Sequence, residues 1–119
     1  MAYTHDGKNP VVLVDDPMSV GSTDWVFFVL GGFLRANETV SAHTATATGG
    51  NLVTDSTYLG AVTDPCGNTY LEVYGVEVEA PAIPTTITVV FTFSTTVSGD
   101  VDIGRTDVSR TVRIPVRVL

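Results

Sequence analysis

Two histidines, one cysteine and a few acidic pairs are the residues of this chain whose types could do chemistry. A metal site would need His5 and His43 to converge with carboxylates, and no short ligand spacing brings them together. Cys66 is the only cysteine, so it has no partner for an internal disulfide and no companions for a zinc site. As a nucleophile it would need His43 as base and a third group to orient that base. Nothing beside it supplies them, and no Gly-x-Ser-x-Gly elbow offers an alternative. Asp15-Asp16, Asp100-Val101-Asp102 and Glu77/Glu79 place carboxylates close in sequence, as calcium prefers. None continues into the ligand series of a calcium loop, so they read as solvated acidic edges. Asn37-Glu38-Thr39 matches a glycosylation acceptor but is set aside, because the polar start Met1-Ala2-Tyr3-Thr4-His5-Asp6 is not a signal peptide. Gly31-Gly32 and Gly49-Gly50 lack the flanking spacing of a phosphate loop. The residues therefore point to a protein that is not an enzyme and needs no cofactor and no metal.

The elements that must position these residues are strands, because the apolar period is two almost everywhere. From Thr86 to Ser94, Ile87, Val89, Phe91 and Phe93 fall on one face. Thr86, Thr88, Thr92 and Ser94 fall on the other. At the C-terminus Val112, Ile114, Val116 and Val118 face one way, and Arg113, Pro115 and Arg117 the other. Pro115 has no amide hydrogen to give to a ladder, which places this strand at a sheet edge. Val11–Val14, Asp24–Leu30, Thr39–Thr48, Leu52–Tyr58 and Tyr70–Glu79 read as further strands. In the last of these Leu71 and Val73 are expected inward, with a change of phase to Val76 and Val78 at Tyr74-Gly75, where glycine suits a bulge. Gly49-Gly50-Asn51 reads as a hairpin turn. Asp64-Pro65-Cys66-Gly67-Asn68 and Ser98-Gly99-Asp100 read as turns, and Ala80–Pro84 as an extended connector. Helical periodicity is absent, apart from room for one turn within Phe28–Ala36.

About seven short strands, separated by frequent turns in a chain of 119 residues, predict an all-β fold. The expected architecture is an immunoglobulin-like two-sheet antiparallel β-sandwich. Residues 1–10 are expected to be a flexible N-terminal arm and residues 11–119 a single sandwich domain. A chain of this length buries roughly two-thirds of its unfolded surface and needs no staple.

Charge narrows the partners. The chain is 44% hydrophobic, 16% charged and carries a net charge of −7, where about 25% charged is usual. An acidic surface repels phosphate, so nucleic acid is not an expected partner. The longest apolar run, Trp25–Leu30, is far short of a membrane span, and no membrane association is expected. Without a signal peptide, the chain is expected to be made in a cytoplasm and to stay there until it assembles or is released.

Two features exceed background. Trp25, Phe27 and Val29 oppose Val26, Phe28 and Leu30, so this strand is apolar on both faces, with Phe33 and Leu34 just beyond. One face belongs to the sandwich core. The other needs the N-terminal segment or a second subunit to cover it, and aromatic residues of this kind are common interface anchors. Four of the six basic residues, Arg105, Arg110, Arg113 and Arg117, crowd the C-terminal strand. Arg113 and Arg117 share a face. They read either as cross-strand partners of Glu72, Glu77 or Glu79, or as a docking edge for an acidic neighbour. Trp25, Phe27, Phe33, Leu34, Arg113 and Arg117 are thus the candidate partner interface.

In order, Asp16-Pro17, Trp25, Phe33-Leu34, Asn37-Glu38-Thr39-Val40 and the strand Arg110–Val118 resemble the fiber-tail adaptor proteins, short β-rich proteins of tailed-bacteriophage virions. Lys8-Asn9-Pro10 or Asp15-Asp16-Pro17 stands where that group has a Lys-Asp-Pro-Asp opening. Phe33-Leu34 stands for its Trp-Leu element, and Ala36–Val40 for its Gly-Glu-Thr-Ile lead-in to a strand. The resemblance implies a virion structural protein that docks a fibre or tail component to the particle. Its partners would be other virion proteins of the tail, fibre or capsid, with a second copy of the chain as a further partner. The segment Leu59–Asn68 and the connector Ala80–Pro84 depart from the pattern and point to a second reading, a capsid decoration (cement) protein. A third reading is a carbohydrate- or cell-surface-binding module, which predicts an exposed aromatic cluster from Tyr58, Tyr70 and Tyr74, or calcium at the acidic pairs.

Overall fold

The computed structural model describes residues 4–5, 11–14, 17–98 and 104–119. The strands are β1 (Thr4–His5), β2 (Val11–Val14), β3 (Met18–Ser19), β4 (Thr23–Val29), β5 (Glu38–Thr48), β6 (Asn51–Thr63), β7 (Thr69–Glu79), β8 (Thr85–Val97) and β9 (Val108–Arg117). They form a five-stranded sheet in the order β1-β2-β4-β7-β6 and a four-stranded sheet in the order β3-β9-β8-β5. The run β2-β4-β7-β6 reproduces the A-B-E-D sheet of an immunoglobulin domain, and β9-β8-β5 its G-F-C sheet. The fold is an all-β, immunoglobulin-like sandwich. All pairs are antiparallel except β3, which runs parallel to β9 and makes the second sheet mixed. Of the expected N-terminal arm, Thr4–His5 pairs with Leu13 and Val14. The rest of it, Asp15-Asp16, and the pair Asp100/Asp102 lie outside the described residues.

The core follows from the period-two patterning. Ile87, Val89, Phe91 and Phe93 of β8 and Ile114 and Val116 of β9 meet Val26, Phe28, Val76 and Val78 of the opposite sheet, all at 2% exposure or less. Phe28 and Phe91 stack across the interface with centroids 4.8 Å apart. Each such side chain contributes on the order of 1.5–3 kcal/mol through burial. Pro115 sits opposite Thr86 of β8, and the far side of β9 is paired only over Val116 and Arg117 by β3. A missing amide hydrogen costs little there.

Two expectations change. Gly49-Gly50 does not close a hairpin within one sheet. β5 pairs with β8 and β6 with β7, so the turn carries the chain from one sheet to the other. On β7 the phase does not change at Tyr74-Gly75. Tyr74, Val76 and Val78 all face the core, Val73 faces out and Leu71 is 60% exposed. The irregularity lies earlier, at Glu72, whose φ is +53°. Between β4 and β5 the chain makes two tight turns, one in which Phe33 and Leu34 donate backbone hydrogen bonds to Leu30 and one in which the Glu38 amide donates to Arg35.

Candidate functional site

The six candidate interface residues occupy three separate places. Trp25 and Phe27 lie on the outer face of the five-stranded sheet, stacked with centroids 6.4 Å apart. Phe27, Val29 and Val73 are buried there beneath Trp25, Val62 and Tyr70. Among the described residues, the chain covers this second apolar face with its own β6–β7 ribbon. Gly75 makes that possible, since a Cβ there would meet Leu59 Cδ1 at 2.6 Å and the Trp25 ring at 2.9 Å. Leu59 therefore closes over the strand beside Trp25.

Phe33 and Leu34 are half-buried against the main core instead, with Phe33 edge-on to Phe93 at 5.8 Å. The Arg105 guanidinium lies 4.0 Å above the Phe33 ring. Arg113 and Arg117 are exposed on the opposite sheet, beside Thr88 of β8 and Ser19 of β3. Neither side chain makes an ion pair or hydrogen bond among the described residues. The acids weighed as their partners are in the other sheet and accept elsewhere. Glu72 accepts from Tyr58, Glu77 from Thr54, and Glu79 from Asn51.

Sequence reasoning missed a buried carboxylate. The Glu38 side chain is shielded from solvent and joins the loop before β5 to the segment before β9. Its Oε2 accepts from Thr95 Oγ1 at 2.5 Å and from Arg35 Nη2 at 3.2 Å, and forms an ion pair with Arg105 Nε at 3.2 Å. Its Oε1 accepts from the Arg35 amide at 2.8 Å and from Arg35 Nε at 3.2 Å. Burial alone would push the Glu38 carboxyl up. The Arg35 and Thr95 hydrogen bonds and the Arg105 charge outweigh it and hold the group at about 2. Asn37, at φ +63°, supplies the turn that aims Glu38 inward. The Asn37-Glu38-Thr39 triplet is thus a structural clamp, and its only hint in the sequence was an acid within a β-prone run.

The two sheets part beside this clamp and leave a groove of about 420 Å³. Leu34, Arg35, Thr39, Tyr58, Glu72 and Tyr74 line it. Tyr58 and Tyr74 stand with centroids 5.2 Å apart, and Tyr58 Oη donates to Glu72 Oε1 at 3.3 Å. Tyr70, the third aromatic named with them, faces the other side and donates to Asp64 at 3.1 Å. Further along the seam β6 laces to β5. Asp55 accepts from the Ala45 amide at 2.8 Å, and His43 Nδ1 lies 2.7 Å from Ser56 Oγ. Such contacts blunt an edge that would otherwise invite pairing.

Cys66 is exposed in the β6–β7 turn, where its amide and that of Asn68 donate to Asp64. Those hydrogen bonds, with one from the Tyr70 hydroxyl, lower the Asp64 carboxyl against the upward push of burial. Among the described residues no group of three His, Cys, Asp or Glu could hold a metal. Among the described residues no helix is long and apolar enough to cross a membrane. Comparison of the chain with family models, curated proteins and solved structures finds no match.

Proposed function

We propose that this chain is a non-enzymatic docking domain, a virion adaptor of the kind its sequence resembles, which joins a fibre or tail component to a tailed-phage particle. The observation that supports the reading is the distribution of exposed apolar surface. Leu52, Val53, Tyr58, Leu59 and Leu71 are each 37–60% exposed, and all lie on the β6–β7 ribbon. β6 is a 13-residue edge strand, and its ribbon outruns β4, whose last pair with β7 is Val29 with Val73. Beyond Asp55 and Ser56, where β5 laces to it, the rest of this edge with its apolar side chains is a template for a neighbouring chain. Arg113 and Arg117, exposed on the opposite sheet, provide a second surface suited to an acidic neighbour. Two surfaces on opposite sheets suit a linker between components, with weak single contacts multiplied by repetition around a symmetric particle.

The test is particle association. Density-purified particles of the virus that encodes the chain are expected to carry it in a copy number matching a symmetric ring. A chain found only in the unassembled fraction would remove the proposal. A copy number matching every capsomer would transfer it to the capsid decoration reading.

A further inference from the structure

We infer that the groove between the sheets is a binding site for a neutral saccharide, a property separate from the docking role. Its size, about 420 Å³, lies within the range of small-molecule pockets, on the order of 300–1,000 Å³. Two strand irregularities face each other at its wall. On β6, Tyr58 pairs with Tyr74 but Gly60 pairs with Val73, so Leu59 is an extra residue that turns to the outer face, with Gly60 at φ +78°. On β7, Glu72 adopts φ +53°, a conformation costly for a residue with a side chain. Bulges re-aim side chains beside functional sites, and strained residues persist where the surroundings fix them. Here they leave Tyr58 on the groove side, 52% exposed yet held at both ends. Its ring lies against Tyr74, which is itself braced by Phe91 at 5.7 Å, and its hydroxyl is tied to Glu72.

The chemistry of the lining selects the ligand. An exposed, pre-ordered aromatic face suits the apolar face of a pyranose ring at low entropic cost. Around it stand the Glu72 carboxylate and the Tyr58 hydroxyl, whose proton goes to Glu72, as acceptors, the Arg35 guanidinium as donor, and the Thr39 hydroxyl as either. That mixture fits a ligand whose hydroxyls donate and accept side by side. Two guanidiniums, Arg35 and Arg105, balance two carboxylates, Glu38 and Glu72, at this groove, so its charge selects neither an anion nor a cation.

The test is a chemical-shift titration of the full chain with maltose, cellobiose, lactose and di-N-acetylchitobiose. Tetramethylammonium and inorganic phosphate serve as charged probes. At least one disaccharide is expected to give saturable shifts confined to the segment around Arg35–Val40 and to Tyr58, Glu72 and Tyr74. Tyr58→Ala and Glu72→Gln should each weaken that binding about tenfold or more. Thr46→Ala, on the outer face of the other sheet, should leave it unchanged. Absence of saturable shifts with every disaccharide, binding of tetramethylammonium or phosphate alone, or equal affinity in Tyr58→Ala would each overturn the assignment. Particle association is read independently, so either proposal can fail without the other.

Discussion

Glu38 shows how one side chain can hold two ends of a sandwich together. A carboxylate shielded from solvent is costly unless every oxygen is matched, and here Arg35, Thr95 and Arg105 match both. Breaking such a cluster leaves the arginines and the Thr95 hydroxyl without their acceptor. Glu38→Ala is therefore expected to cost about 3–5 kcal/mol in urea unfolding. The cluster also sets an acid response. Glu38 ionises at about 2 in the fold against 4.5 ordinarily. A depressed carboxyl adds stability in full above its unfolded value and loses it as pH falls from there toward the folded one. The urea midpoint of the native chain should thus fall steeply between about pH 4.5 and pH 2, while Glu38→Gln starts lower and loses less over that window. Parallel pH profiles for the two proteins would remove Glu38 as the cause.

At the scale of elements, the sequence was legible wherever one face of a strand is buried and the other wet. β8 alternates buried Ile87, Val89, Phe91 and Phe93 with half-exposed Thr88, Thr92 and Ser94, as its period of two predicts. Phe91 touches Phe28, Tyr74 and Phe93, so Phe91→Ala should destabilise the chain by about 3–5 kcal/mol. Thr92→Ala, on the outer face of the same strand, should shift the unfolding midpoint little. β7 was misread because both of its faces are apolar near the ribbon, so alternation could not choose between them. Gly75 suggested a bulge but marks a close approach by Leu59 and Trp25, while the irregular backbone sits at Glu72, a residue with no preference for it. The Gly49-Gly50 turn was legible as a turn only. Which strands flank it in space depends on sheet order, and no local signal carries that. The cover for Trp25 was sought in the N-terminus or a second subunit. Instead Leu59 of the chain's own ribbon approaches beside Trp25, and Val62 and Tyr70 join Trp25 over Phe27, Val29 and Val73, long-range contacts beyond the reach of periodicity.

For the molecule as a whole, the immunoglobulin-like sandwich is the frame, and the surfaces proposed for docking and binding lie at its margins. One sheet exposes Arg113 and Arg117, the other carries the apolar ribbon, and the groove opens where the sheets part. All-β architecture followed from composition and spacing, because Thr, Val and Ile in alternating runs leave few other ways to bury a core. The candidate site was legible only in part. Residue types singled out Trp25, Phe27, Phe33, Leu34, Arg113 and Arg117 as candidates, and folding places them on two outer faces and the core margin. The central claim, docking through the β6–β7 ribbon, is tested most directly by competing the native chain against a Val53→Asp/Leu71→Asp variant for particles stripped of it. Both positions are at least half exposed, so the variant should keep the native circular dichroism and melting temperature. The expected result is that only the native chain rebinds. Equal rebinding by a folded variant would contradict docking through this ribbon.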